Sequence, residues 1–228
     1  MSVAASVVLT KVRNQLADNG VVQRWTDAEL LGWLSDGQRT IAGADASTAS
    51  VVVPLQLSAG TRQAIPPGGY AFLSMYRNMG TDGQTPGAAT RLVRRDLLDT
   101  ILPGWHSAPA SPTVQNYVFN NEDPRSYYVY PPNDGTGYVE INYAQMPTEL
   151  TSDTQNLALP DIYQTPLFDY VMARAHAKDS DAAAGLQYAQ MYMQSFMAFV
   201  GSNAKDLSLE NINATLAGFN PQTKAAEE

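Results

Sequence analysis

The chain has 228 residues and a formal net charge of −8, with 44% hydrophobic and only 16% charged residues. That length supports one sizeable domain or a domain with an appendage, and the acidic balance argues against gripping a nucleic-acid backbone, which needs clustered Lys and Arg. No cysteine is present, which excludes structural disulfides, Cys-based zinc sites and thiol catalysis.

The charged fraction lies below the roughly 25% usual for soluble domains. Two readings stand side by side: a surface covered by other subunits, because interface cores are depleted of charge, or a neutral surface rich in Ser, Thr and Gln. The opening MSVAASVVLTKVRNQL has no basic start, and its apolar run is too short and interrupted for a signal peptide. No stretch approaches the roughly 20 apolar residues of a membrane helix. The expectation is a soluble protein made in a reducing cytoplasm.

In chain order, Ala5 to Asp18 reads as a first helix, with Val8, Val12 and Leu16 at helical spacing and Asn19-Gly20 as its left-handed stop. Thr26 and Glu29 form a capping box for a second helix, about Asp27 to Gly43. Leu30, Leu34, Gly37, Gln38 and Ile41 trace one stripe along it, with Trp33 beside it.

SVVVPLQL then reads as a strand that Pro54 confines to a sheet edge or bulge. AFLSMYRNMG is expected to open as a short helical or irregular piece before extending. RRDLLDTIL makes a short helix stopped by Pro103-Gly104, and a Pro-rich loop follows. NYVFN, SYYVYP and GYVEINYA are strands, the last two joined by PPNDGTG as a hairpin loop with Asp-Gly turn chemistry.

In GYVEINYA, Val139, Ile141 and Tyr143 share one face and Tyr138, Glu140 and Asn142 the other; both faces of SYYVYP read as covered. A third long helix starts at Thr165-Pro166, and a last one runs from about Ser180 to Ser202. The expected class is therefore α+β. Residues 1–45 and 160–204 form an antiparallel helical bundle, residues 46–159 an inserted antiparallel sheet or small barrel, and residues 205–228 an extended C-terminal arm without a core of its own.

Candidate chemistry is sparse. His106 and His176 each lack a second histidine or carboxylate at metal-ligand spacing, and no nucleophile elbow, P-loop or dinucleotide fingerprint occurs. No catalytic, cofactor-binding or metal-binding residue is assigned, and the chain is not expected to be an enzyme. Arg91, Arg94 and Arg95 are followed at once by Asp96 and Asp99, the pattern of a salt-bridged helix start. The aromatic and Met side chains of the last helix nearly encircle it, which fits either a central bundle helix or one pressed between subunits.

Several blocks occur in one order: RWTDAELLGWLSDGQRTIA, a YPP strand, GYVEINYAQMPTEL, then LALPDIYQTPLFDYVMARAHAKDSD and a helix with YMQSF. Together they resemble the head-to-tail adaptor proteins of short-tailed phages, the tail tubular protein A type, over roughly residues 22 to 200. The resemblance implies a structural virion protein at the head–tail junction. Its partners would be the portal, a tail nozzle protein and further copies of itself in a ring of twelve, with double-stranded DNA passing through the centre unbound.

It implies no cofactor and no membrane partner. On this reading the arm residues Lys205, Leu207, Leu209, Ile212, Leu216 and Phe219 reach the portal. Trp33, Tyr128, Tyr130, Tyr138, Met193 and Phe196 are expected at subunit contacts. The competing expectation is a carbohydrate- or peptide-binding module built on the tyrosine-rich sheet.

Overall fold

A computed structural model describes residues 3–120, 122–179 and 183–217, with backbone alone for 183 and 202–217. The helices are α1 (Ala5–Leu16), α2 (Asp27–Ala44), α3 (Arg95–Ile101), α4 (Gln164–Lys178) and α5 (Ala183–Ala217). The strands are β1 (Ser50–Gln56), β2 (Gly60–Ala64), β3 (Gly69–Asn78), β4 (Arg91–Leu92), β5 (Asn116–Phe119), β6 (Ser126–Asn133) and β7 (Tyr138–Gln145). The class is α+β, as separate runs of helix, then strands, then helix imply. The chain divides into a helical unit, residues up to Asp45 together with those from Pro147 onward, and a β unit, Ala46–Met146.

In the helical unit, α4 touches α1, α2 and α5. Its side chains Leu167, Val171 and Met172 are buried, as are Val8 and Val12 from α1 and Leu30, Leu34 and Ile41 from α2. The α2 start follows the expected capping box: Thr26 Oγ1 accepts from the Glu29 amide and the Glu29 carboxylate accepts from the Thr26 amide, both at 3.3 Å.

The α1 stop differs from expectation. Ala17, not Gly20, takes the left-handed conformation (φ 53°), and the Ala17 and Asp18 amides close back onto Asn14 and Arg13 carbonyls. A Cβ-bearing residue is held there because Asp18 is fixed from several sides: its carboxylate accepts from the Arg24 and Trp25 amides and from Arg13 Nη1.

The second boundary of the β insertion falls at Met146 instead of residue 159. Polar groups on the buried stripe of α2 hold the intervening segment to the helices. Ser35 Oγ accepts from the Leu150 amide (2.9 Å) and Gln38 Oε1 from the Ala158 amide (2.8 Å). The Ala5 and Ser6 amides donate to the Gln155 and Asp153 carbonyls, and Leu150, Leu157 and Leu159 are buried.

Two helix ends are also corrected. α4 begins at Gln164 after the 3-10 turn Asp161–Tyr163, so Thr165 and Pro166 lie inside the first turn and no side chain caps it. Pro is tolerated there because first-turn amides have no intrahelical acceptor. α5 runs to Ala217, well past Ser202, so Lys205, Leu207, Leu209, Ile212 and Leu216 sit on helical backbone where an extended arm was expected. Phe219 lies outside the described residues.

In the β unit, one antiparallel sheet has the order β1-β7-β3 and the other the order β2-β6-β5-β4, with β4 and β5 parallel. Side chains from both sheets form one core. Phe72 of β3 stacks on Tyr127 of β6 (4.2 Å between ring centroids), with Val129, Val139 and Ile141 buried around them. β1 is an edge strand, as Pro54 requires. AFLSMYRN is strand throughout, within β3, with register shifts in its pairing to β7 in place of the helical opening expected.

The expected β6–β7 hairpin does not form, because these strands belong to different sheets. β6 ends in Pro131-Pro132-Asn133, and the two prolines bring no N–H to continue a ladder. Asn133 then turns the chain across: its Nδ2 donates to the Ser111 and Pro112 carbonyls, and its Oδ1 accepts from the Gly135 amide at 2.8 Å. Gly137 completes the crossing, since a Cβ there would stand 1.9 Å from the Pro112 carbonyl oxygen.

Candidate assembly surfaces

The tyrosine-rich strands do not form an open platform. Tyr128 and Tyr130 are half-buried and pack on a small cluster of Leu98, Trp105 and Val118, under α3 and the 3-10 turn Trp105–Ser107. Tyr138 donates its hydroxyl to Gln56 Oε1 (3.1 Å) and sits against Gly83. Its β7 face-mate Glu140 is clamped by Arg77 through Nε at 2.9 Å and Nη2 at 3.3 Å. Both faces of β6 are thus covered within the β unit, and these tyrosines serve first as sheet packing.

Trp33 is half-buried in an edge contact with Trp25 (5.7 Å between centroids). Phe196 is fully buried against Tyr170 of α4, so it belongs to the core of its own helical unit and offers no free contact surface. Met193 is half-buried. Of the two expectations for this helix, packing within the bundle is seen on one side. Ala189 and Phe196 face inward, and Tyr192 and Phe199 meet Phe168 and Tyr163 of the helical unit. Ser195 Oγ donates to the buried Asp169 carboxylate at 2.6 Å.

The other side of α5 is open. Leu186, Met193, Met197 and Val200 fall on one face at helical spacing. Leu186 is 49% and Met197 57% exposed, and Tyr188 and Met191 are exposed on another side of the helix. Residues 182–204 contain no Asp, Glu, Lys or Arg. A solvent-facing helix ordinarily carries charge on its outer side; this one carries none, with exposed Gln187, Gln190 and Gln194 set among the apolar side chains.

Both histidines sit in ring contacts. His106 stacks on Trp105 and shares a 2.9 Å hydrogen bond with Thr61. Among the described residues no group of three or more His, Asp or Glu side chains could hold a metal ion. His176 lies between the rings of Tyr188 and Tyr192 at the α4–α5 contact. Burial holds its pKa below the ordinary 6.5, with the Asp179 carboxylate opposing.

A base whose folded pKa is depressed leaves more protons on the unfolded chain, so stability is lost as pH falls from 6.5 through the folded value. Urea melts between pH 7 and 5 are expected to show this slope, and His176→Phe, which keeps a ring in the stack, is expected to flatten it. An unchanged slope would place the titration elsewhere.

Among the described residues, no helix is long and apolar enough to cross a membrane. Three amide side chains that sequence periodicity did not single out as structural hold the β-unit loops. Gln63 and Asn78 are each 3% exposed; Gln63 closes the β1–β2 turn onto Ser58 and Gly60, and Asn78 ties β3 to Ala88 and Val114. Asn133 is the third. Their signal in the sequence was only an amide next to a Gly- or Pro-rich loop.

A search of curated proteins finds no match to the chain. The family model described as SU10 adaptor protein matches residues 4–211, almost the whole chain and wider than the blocks that carried the resemblance. That family is one of structural phage components and not a class of enzymes. The chain belongs to the SU10 adaptor protein family and is a phage head-to-tail adaptor.

Proposed function

We propose that the protein forms a ring at the head–tail junction of the virion, binding the portal on one side and the tail nozzle on the other, with double-stranded DNA passing through. The observation that carries this reading is the family match over residues 4–211. Lateral contacts in the ring would use the open face of α5, with Met193 and Met197 at its centre. Heterologous contacts that close on themselves make rings, and twelve copies is the number the family resemblance implies. The net charge of −8 supports passage of DNA without retention. Residues 205–228 would supply the portal contact. The protein would be made in the host cytoplasm and reside in the virion.

Size-exclusion chromatography of the full chain with purified portal tests this. Co-elution is expected. It should be lost in a chain ending at residue 204, and Met193→Glu with Met197→Glu should weaken ring closure by about tenfold or more, since a buried charge at a contact centre must be desolvated. A protein that stays monomeric and ignores portal, with and without residues 205–228, would sink the reading.

A further inference from the structure

A second exposed surface lies on the β unit, and its chemistry differs from the α5 face. Leu92, Leu97, Ile101 and Leu102 are 40 to 64% exposed and fall within eleven residues of chain. Single exposed leucines are ordinary, but a cluster of four is a contact surface. Leu97 and Ile101 stand four apart on α3, while Leu98 between them is buried beneath. Running up to Leu92 of the cluster is a groove of about 540 Å³, lined by Val93, Val118 and Phe119 and by the Arg94–Asp96 and Arg95–Asp99 pairs.

Three of the chain's fourteen basic residues, Arg91, Arg94 and Arg95, rim this corner. The exposed Arg91 side chain makes no ion pair among the described residues. Arg94 pairs with Asp96 and Arg95 with Asp99, both in solvent-exposed contacts that a partner's carboxylate can exchange. The platform beneath is rigid. Trp105 is 2% exposed, donates its indole N–H to Asp99 (2.8 Å) and meets Tyr128 edge-on, while Arg95 lies 5.3 Å over the Tyr128 ring. A pre-formed apolar ridge beside arginines in an otherwise acidic protein binds without reorganising itself.

We propose that this α3–β4 corner docks an acidic, leucine- or phenylalanine-bearing segment of the tail-side protein. The apolar side chains settle on Leu97 and Ile101, and the carboxylates pair with Arg91 and its neighbours. The proposal rests on the adaptor reading for the identity of that partner. Charge complementarity selects it: Arg91 stands exposed at the rim without an ion pair among the described residues, and in the proposed ring a like copy of this chain is met on the uncharged α5 face.

The test uses the full-length protein and three probes: purified tail-side protein, purified portal and linear duplex DNA. Arg91→Glu, at an exposed side chain, and Leu97→Asp with Ile101→Asp are compared with wild type. Each is expected to weaken tail-side binding about tenfold or more while portal co-elution stays unchanged. Rising salt should weaken wild-type binding more than that of Arg91→Glu. Circular dichroism melts confirm that the variants fold, and Arg91→Glu remains decisive if the double variant does not.

Tail-side binding unaltered in Arg91→Glu, or absent in wild type, overturns the proposal. So does an effect confined to self-association, which would assign the corner to a second copy, or one confined to DNA retention. Loss of portal binding in wild type with tail-side binding intact would overturn the ring reading and leave this surface standing.

Discussion

Gly137→Ala is expected to destabilise the β unit by roughly 3 kcal/mol, at the upper end of overpacking costs. The added Cβ would stand 1.9 Å from the Pro112 carbonyl oxygen and 2.6 Å from Asn133 Nδ2. Neither neighbour can retreat freely. The Pro112 carbonyl accepts from Asn133 Nδ2, and the Gly137 carbonyl accepts from the Leu57 amide at 2.9 Å. The substitution therefore pushes on the crossing between the two sheets and on the start of β7 together. Gly104→Ala is the control, since nothing lies within 4 Å of its added Cβ. Thermal melts followed by near-ultraviolet circular dichroism, which reads the tyrosine-rich core, should show a large drop for Gly137→Ala and almost none for Gly104→Ala. Equal melts would mean that Asn133 and Gly137 do not fix the crossing.

Arg13→Met is expected to cost the helical unit about 3 kcal/mol, because one partner of a buried ionic network is removed and the other stays. Arg13 is 9% and Asp18 7% exposed. The guanidinium spans Asp18 Oδ2 (2.9 Å), the Trp25 carbonyl (3.1 Å) and Asp27 Oδ1 (2.5 Å), so it joins the end of α1 to the start of α2. Arg13→Met with Asp18→Asn should recover part of the loss, and the double-mutant cycle gives the coupling.

Acid supplies an independent check on the same network. Burial pushes the Asp18 carboxyl up, but the Arg24 and Trp25 amides and the Arg13 guanidinium outweigh it and hold the pKa below 3.8. A carboxyl depressed on folding adds stability that is present above its unfolded value and lost as pH falls through its folded value. Wild type should thus lose stability below about pH 4, near the unfolded carboxyl value, and Asp18→Asn should lose less over that window. A urea series across about pH 5 to 2 is the measurement.

The same contrast explains what was legible in the sequence. The capping box at Thr26 and Glu29 depends on residues three apart, and the structure forms it as the spacing implies. The α2 stripe was equally plain, and even its odd member Gln38 finds a role in holding the Ala158 amide. Pro54 marked β1 as an edge strand for a local reason, its missing N–H.

Failures occurred where a distant partner decided the outcome. Asn19-Gly20 has better left-handed propensity than Ala17, but Arg13, Arg24 and Trp25 fix Asp18 and so place the stop at Ala17. The Asp-Gly turn after β6 looked like a hairpin because alternation reveals faces and not partners. Strand pairing was set by Asn133 reaching back to residues 111 and 112.

The assembly surfaces show the same divide. Helical spacing puts Leu186, Met193 and Val200 on one side of α5, where Leu186 is exposed and the other two are half-buried. Spacing alone could not say that Phe196 faces inward, because the helix is apolar on several sides and only the position of α4 breaks the tie. The α3 corner was unreadable for another reason. Leu92, Leu97 and Ile101 become one surface only when β4, α3 and Trp105 fold over β5 and β6.

Electron imaging of purified portal mixed with the full-length protein tests the central claim most directly. The adaptor account predicts an added ring of density coaxial with the portal and pierced by an open channel, absent when the chain ends at residue 204. Bare portal rings beside free monomers of the full-length protein would contradict it.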